Sequence, residues 1–305
     1  MNRRKRAALA ILGSLAFLAV VAVPGFSWYV SGRLLLSPSA ERRDPCAEDA
    51  ADCETRRMAE LGIEAEILTL RSFDGTTLSG LYFPSRNGAA VIVQHGYRAT
   101  RGQVLDAVEI LTRHGFGVAA VDLRGHGASG GEWITLGRDD VRDLLLVFEH
   151  LQAKPEVDDQ RIGMIGFSLG GALAVLHAAA NPELRAIIVD SPFDVVNAVT
   201  VAEFTDLPRP ISALVARFME WRLGVDFDAI SPLARIAEIS PRPVLVFAAG
   251  ADTVVDAGSG ERLYAAAGEP RQIWLEPDYG HCSFFANNRT RFEDEVVGFF
   301  ERYLR

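Results

Sequence analysis

The chain has 305 residues, 49% of them hydrophobic and 23% charged, with a formal net charge of −9. That composition belongs to a globular protein and excludes a disordered or fibrous one, and the length allows one large α/β domain or two smaller ones. The negative balance argues against nucleic acid as a partner, because phosphate binding needs clustered positive charge.

Residues 7–30 carry no charge and follow Arg3, Arg4, Lys5 and Arg6. A run of that length can cross the hydrocarbon core as a helix. The basic flank would hold its start in the cytoplasm, and Trp28 and Tyr29 suit the headgroup region at its end. The expectation is a transmembrane helix within residues 1–32, single-pass, with the remaining chain outside the cytoplasm. A cleaved signal peptide is the alternative, since its basic start and apolar centre look the same. Val30-Ser31-Gly32 would then be a weak cleavage site, and the product would be secreted. Residues 33–64 are polar and read as a linker or edge segment. Cys46 and Cys53 lie in it; they would close a small loop in an oxidising compartment, or they are two unrelated thiols. With Cys282 they are the three cysteines of the chain, and neither they nor the six scattered histidines have metal-site spacing.

From residue 65 to 305 a single domain is expected. Short apolar runs fall at 67–70, 78–83, 90–94, 117–121, 162–166, 186–189, 244–248 and 272–275. Helical patterns separate the later ones, most clearly the Val141, Leu144, Leu145, Phe148, Leu151 stripe. Alternating strand and helix predicts a mostly parallel sheet covered on both faces. Its active site belongs beyond the carboxyl ends of the strands. Residues 192–240 interrupt the alternation with helix-compatible segments at 195–201 and 211–221. A small lid over the strand ends is the natural role of such a crossover.

Chemistry-bearing residues sit where that rule puts them. Gly166-Phe167-Ser168-Leu169-Gly170 follows a strand and opens a helix. A serine on such a turn is held in a strained conformation, and the flanking glycines let strand and helix approach closely. Ser168 is therefore the candidate nucleophile; a helix N-cap serine is the plainer reading. A serine nucleophile needs a base, and His281 follows the last run. The base needs an orienting carboxylate. Asp252 ends the seventh run and is the candidate; Asp190, ending the sixth, is the alternative. Asp256 and Asp278 read as solvated loop carboxylates. The backbone N–H groups of Tyr97 and Leu169 are the expected oxyanion donors. His95 reads as a structural loop residue and His177 as packed or surface. His114 and His150 lie near helix ends, where positive charge suits the dipole. The glycine-rich stretch 122–131 lacks a phosphate-loop pattern and reads as a tight structural loop.

Together, HGY at 95–97, DLRGHGASGG at 122–131, GFSLGG at 166–171, GADTVV at 250–255 and YGH at 279–281 resemble the α/β-hydrolase superfamily. Residues 65–305 carry the resemblance. Within the superfamily the chain is similar to a group that includes serine aminopeptidase-like hydrolases, lysophospholipases and membrane-tethered Bem46-like proteins. The resemblance implies an eight-stranded, mostly parallel sheet, a Ser168/Asp252/His281 triad and no cofactor. Asp256 departs from the pattern, since many relatives carry proline soon after the acid. The expected reaction is hydrolysis of carboxylic esters or related acyl compounds of small molecules through an acyl-enzyme. Peptidase activity with the same triad and a non-catalytic binding protein on this fold are the alternatives. Apolar lid residues such as Phe193, Phe204, Leu207 and Phe218 would line an acyl pocket or simply pack the lid on the core.

Overall fold

A computed structural model describes residues 13–14, 17–37, 59, 62 and 64–305. Cys46 and Cys53 lie outside the described residues. Eight strands form one sheet in the order β1-β2-β4-β3-β5-β6-β7-β8. They are β1 (Glu66–Arg71), β2 (Thr77–Phe83), β3 (Ala90–Gln94), β4 (Gly117–Val121), β5 (Ile162–Phe167), β6 (Ala186–Asp190), β7 (Val244–Ala249) and β8 (Arg271–Glu276). β1 and β2 pair antiparallel, and β2 meets β4 antiparallel. All other neighbours are parallel. Each strand coincides with one of the eight apolar runs to within a residue or two.

The parallel centre is apolar on both faces because helices cover both. Ala90 and Ile92 of β3 join one buried cluster, and Val91 and Val93 join the other. That split is the two-residue period of a strand buried on both sides. Helix α1 (Val23–Leu35) precedes the sheet. α2 (Leu105–Arg113) and the last helix of the chain, α10 (Arg289–Tyr303), pack on the Val91 side. α3 (Asp140–Gln152) and α4 (Leu169–Ala180) pack on the Ile92 side. The α3 stripe is buried at Leu144, Val147, Phe148 and Leu151. α4 is apolar and buried from Leu169 to Ala178, as a helix enclosed on all sides must be.

No strand interrupts residues 192–240. They fold into α5 (Ala198–Thr205), α6 (Arg209–Leu223), the short α7 (Pro232–Arg235) and a 3-10 turn. α6 closes on Gly224, whose positive φ of 66° completes a left-handed cap. α8 (Ser259–Ala266) and α9 (Phe284–Asn287) follow β7 and β8.

The N-terminal segment departs from the expectation of a transmembrane helix within residues 1–32. Among the described residues, no helix is long and apolar enough to cross a membrane. α1 runs on from a π-helical turn at Leu18–Ala22, continues past Val30 to Leu35 and docks on α6. Its buried stripe is Ser27, Ser31, Gly32 and Leu35. Both hydroxyls are satisfied by bonds to the Val23 and Trp28 carbonyls at 2.9 and 2.7 Å. Arg222 stacks 3.4 Å over the Trp28 ring and donates to Trp28 O and Ser31 Oγ, both at 3.0 Å. The physical reason is that this stripe of small side chains fits the lid helix closely. The expected linker also begins later than residue 33: Leu36 bridges to Trp133 and Ser37 bonds to Glu132 O and Gly125 O.

Candidate active site

Ser168 stands between β5 and α4 with φ 52° and ψ −115°. That left-handed conformation is costly for a residue with a side chain. Here the surroundings impose it. A Cβ on Gly166 would collide with the Gly170 backbone, and one on Gly170 would collide with the Gln94 and His95 carbonyls. Only glycine at both positions lets the turn be that tight. The Ser168 N–H donates to Asp190 O at 2.8 Å, and the Ser168 carbonyl accepts from Ala172 at 3.0 Å. The side chain thus projects at the N-terminus of α4, where the helix dipole favours negative charge.

His281 and Ser168 line one cleft of about 540 Å³. His281 Nδ1 lies 2.7 Å from Asp252 Oδ2. The carboxylate accepts, so Nδ1 carries a proton. The other Asp252 oxygen accepts from the Val254 and Val255 N–H groups at 2.8 and 3.0 Å. The acid is thereby pinned, with only 4% of its side chain exposed.

Asp190, the alternative acid, occupies a different place. Its Oδ1 accepts from the Ser191 hydroxyl at 2.8 Å, and that hydroxyl accepts from the Cys282 N–H at 3.0 Å. It therefore supports the residue after His281 and does not bond to the imidazole. Burial pushes its carboxyl up to about 7, although Ser191 and His281 pull it down. Burial, reinforced by Asp190, also raises the Cys282 thiol well above its usual value. A protonated thiol is a poor nucleophile. Asp256 is engaged elsewhere, by Arg262 and the Gly258 N–H.

The loop after β3 abuts Ser168: a Cβ on Gly96 would lie 3.1 Å from Ser168 Cβ. Tyr97 is the next residue and lines the cleft with Ser168. His95 is buried and holds this loop. Its Nε2 accepts from Leu123 N at 2.9 Å and its Nδ1 lies 2.8 Å from Gly96 O. His126 does the same from the other side, accepting from Arg98 N at 3.0 Å. In the glycine-rich stretch, Asp122 pairs with Arg101 Nη1 at 2.7 Å and accepts from the Arg101 and Ala128 N–H groups at 2.8 Å each. A Cβ on Gly127 would overlap that carboxylate, so the glycines serve packing here. His177 is buried, and desolvation lowers it to about 3. His114 pairs with Glu293 at 2.9 Å. Burial lowers His150, against the positive charge expected near its helix end.

Several residues of the cleft were not singled out in the sequence: Gln103, Asp106 and Phe285. Leu34 of α1 also approaches Ser168, across a second, smaller cavity. Their sequence contexts are ordinary helix and loop, and only the fold brings them to the strand ends.

An eight-stranded sheet in this order, with a strained serine after β5 and an Asp–His pair beyond β7 and β8, is the architecture of α/β hydrolases. The family model described as serine aminopeptidase, S33, matches residues 85–231. Uncharacterized protein Rv2307c of Mycobacterium tuberculosis is 30% identical over 284 residues, covering 92% of this chain and 90% of its own. Thiohydrolase aneE of Aspergillus aculeatus is 28% identical over 191 residues, 60% of this chain and 54% of its own. Among solved structures, the Pyrococcus furiosus esterase Pf2001 superposes with a TM-score of 0.68 at 25% identity, covering 81% of this chain and 94% of that one. The chain belongs to the α/β-hydrolase superfamily.

Proposed function

We propose that this hydrolase cleaves carboxylic esters or related acyl compounds of small molecules through a Ser168–His281–Asp252 triad. The observation that carries the reading is the 2.7 Å Asp252–His281 contact beside a serine strained onto the same cleft. The likeness to an esterase and to a protein named as a thiohydrolase agrees with it.

In this mechanism His281 Nε2 takes the proton of Ser168 Oγ as the oxygen attacks the acyl carbon. The carbonyl π pair moves to oxygen, where the Tyr97 and Leu169 N–H groups and the α4 N-terminus stabilise the charge. Asp252 holds the imidazolium. Collapse of the tetrahedral species expels the leaving group, which takes the proton from His281. Water then attacks the acyl-enzyme with His281 again as base, and Ser168 is regenerated.

Ser168→Ala tests this directly. Wild-type protein should react with a fluorophosphonate probe and hydrolyse p-nitrophenyl esters, and the variant should do neither. Labelling that survives the change refutes the assignment. A preference for aminoacyl amides over esters would make the enzyme a peptidase with the same triad.

For location, we propose a single-pass anchor with its N-terminus in the cytoplasm and the catalytic domain outside. The basic start and uncharged run of residues 3–30 support this, as do exposed Phe17, Val20, Val21, Phe26 and Tyr29. Alkaline extraction of membranes checks it: release of the full chain, or of a product shortened by signal cleavage, refutes the anchor.

A further inference from the structure

Two cavities meet at Ser168, and they differ in chemistry. The cleft of about 540 Å³ is open and is bordered by His281, Gln103, Asp106 and Phe285. The second is a slot of about 40 Å³, lined by Leu34, Leu136, Phe193, Val196, Val201 and Met219. The slot also touches Leu169, one of the two oxyanion donors, but not His281. A general acid has to reach the leaving group. The leaving group therefore belongs in the open cleft with His281, and the acyl chain in the apolar slot. The slot has less than a tenth of the cleft's volume, which favours a short acyl chain over a long one.

One wall of that slot comes from α1, the segment that reads in the sequence as membrane anchor. Leu34 is held there by the hydrolase body. The last carbonyls of a helix lack partners within it. Here Leu34 O accepts from the Tyr97 hydroxyl at 2.6 Å, Arg33 O from Arg98 at 2.8 Å and Leu35 O from Ile134 N at 2.7 Å. Tyr97 thus joins α1 to the oxyanion loop, and its ring lines both cavities beside Phe204, 5.5 Å away between centroids.

We propose that α1 is a component of the acyl-binding site and that Leu34 sets the length of acyl chain the enzyme accepts, giving esters of short-chain acids as the substrate class. This rests on the serine-hydrolase reading above. Removing or enlarging one wall of the slot should move specificity in opposite directions. A single methylene in an apolar pocket changes discrimination by about 10- to 200-fold at most.

The test uses the full chain in detergent and p-nitrophenyl esters from acetate to octanoate. Wild-type kcat/KM should fall by about tenfold or more from butyrate to octanoate. Leu34→Ala should lower that butyrate-to-octanoate ratio by about fivefold or more, and Leu34→Trp should raise the acetate-to-butyrate ratio by about tenfold. A loss of folded protein scales all esters alike and leaves the ratios unchanged, so the ratios isolate the slot. Leu34→Ala removes volume without a clash and carries the test even where tryptophan undocks α1. A flat wild-type profile, or Leu34→Ala keeping the wild-type ratio within about twofold, overturns the proposal. Fluorophosphonate labelling of Ser168 separates the two readings: labelled protein with unmoved ratios overturns only the role of α1, whereas no labelling overturns the serine-hydrolase reading itself.

Discussion

The two sides of Ser168 are built by different means. On the side of His281, the groups come from loops that leave β5, β6, β7 and β8, four neighbouring parallel strands. Their positions follow from sheet register, since Gly166 pairs with Val189 and Val189 with Val246. On the slot side, most groups come from α1 and from the lid, with Tyr97 and Leu136 contributed by loops of the sheet. Those pieces are held by a few long-range contacts, such as Arg222 to Trp28 and Tyr97 to Leu34. The lesson is a division of labour. On the proposed reading, the sheet side sets the chemistry and the helical side sets what fits.

Predictions that probe this division run from large to small. Ser168→Ala should lower kcat by about 10⁴-fold or more, read by ester turnover. Asp252→Asn should cost about 10³- to 10⁴-fold, because the amide cannot hold the imidazolium. Asp190→Asn should cost less than about tenfold, since Asp190 bonds to Ser191 and not to His281. Equal losses at both positions would erase the distinction drawn between the two carboxylates.

Next in size is Arg124. Its guanidinium pairs with Asp143 through two bonds of 2.7 and 2.8 Å and with Asp74 at 2.9 Å, and both Arg124 and Asp143 are buried. Arg124→Met would leave the Asp143 carboxylate without its cation. The expected loss is about 3 to 5 kcal/mol in urea unfolding. A drop below about 1 kcal/mol would show that this network is dispensable on the slot-side face of the sheet.

The smallest effect is a pH dependence. The Asp190 carboxyl sits near 7 in the fold, raised by burial from an ordinary value of 3.8. The folded protein therefore binds one more proton than the unfolded chain between those values. The stability contributed is fully present below about pH 4 and is lost as pH rises to about 7. Asp190→Asn stays neutral throughout. Its Tm relative to wild type should thus rise between pH 5 and pH 8, and a constant difference would mean that Asp190 is ionised in the fold.

The sequence by itself determined the sheet and pointed to the candidate triad. The inner strands were legible because a strand buried on both faces must be apolar at nearly every position, whereas β1 and β8 are partly exposed and showed only as short apolar runs. Ser168, Asp252 and His281 were legible because each lies directly after such a run, and strand ends are where this architecture exposes chemistry. Glycines at 166 and 170 reported the tight turn because no other residue fits it. What only the tertiary structure decided lies on the other side of the nucleophile. Hydropathy reads residues 7–30 as one apolar run and does not show that the small side chains of Ser27, Ser31 and Gly32 are buried as α1 docks on a lid helix. The docking of α1 depends on Arg222 and Tyr97, residues 194 and 63 positions away from their partners. No local pattern encodes contacts at that separation. The place of Leu34 beside Ser168 is therefore a consequence of packing, and so is the size of the slot.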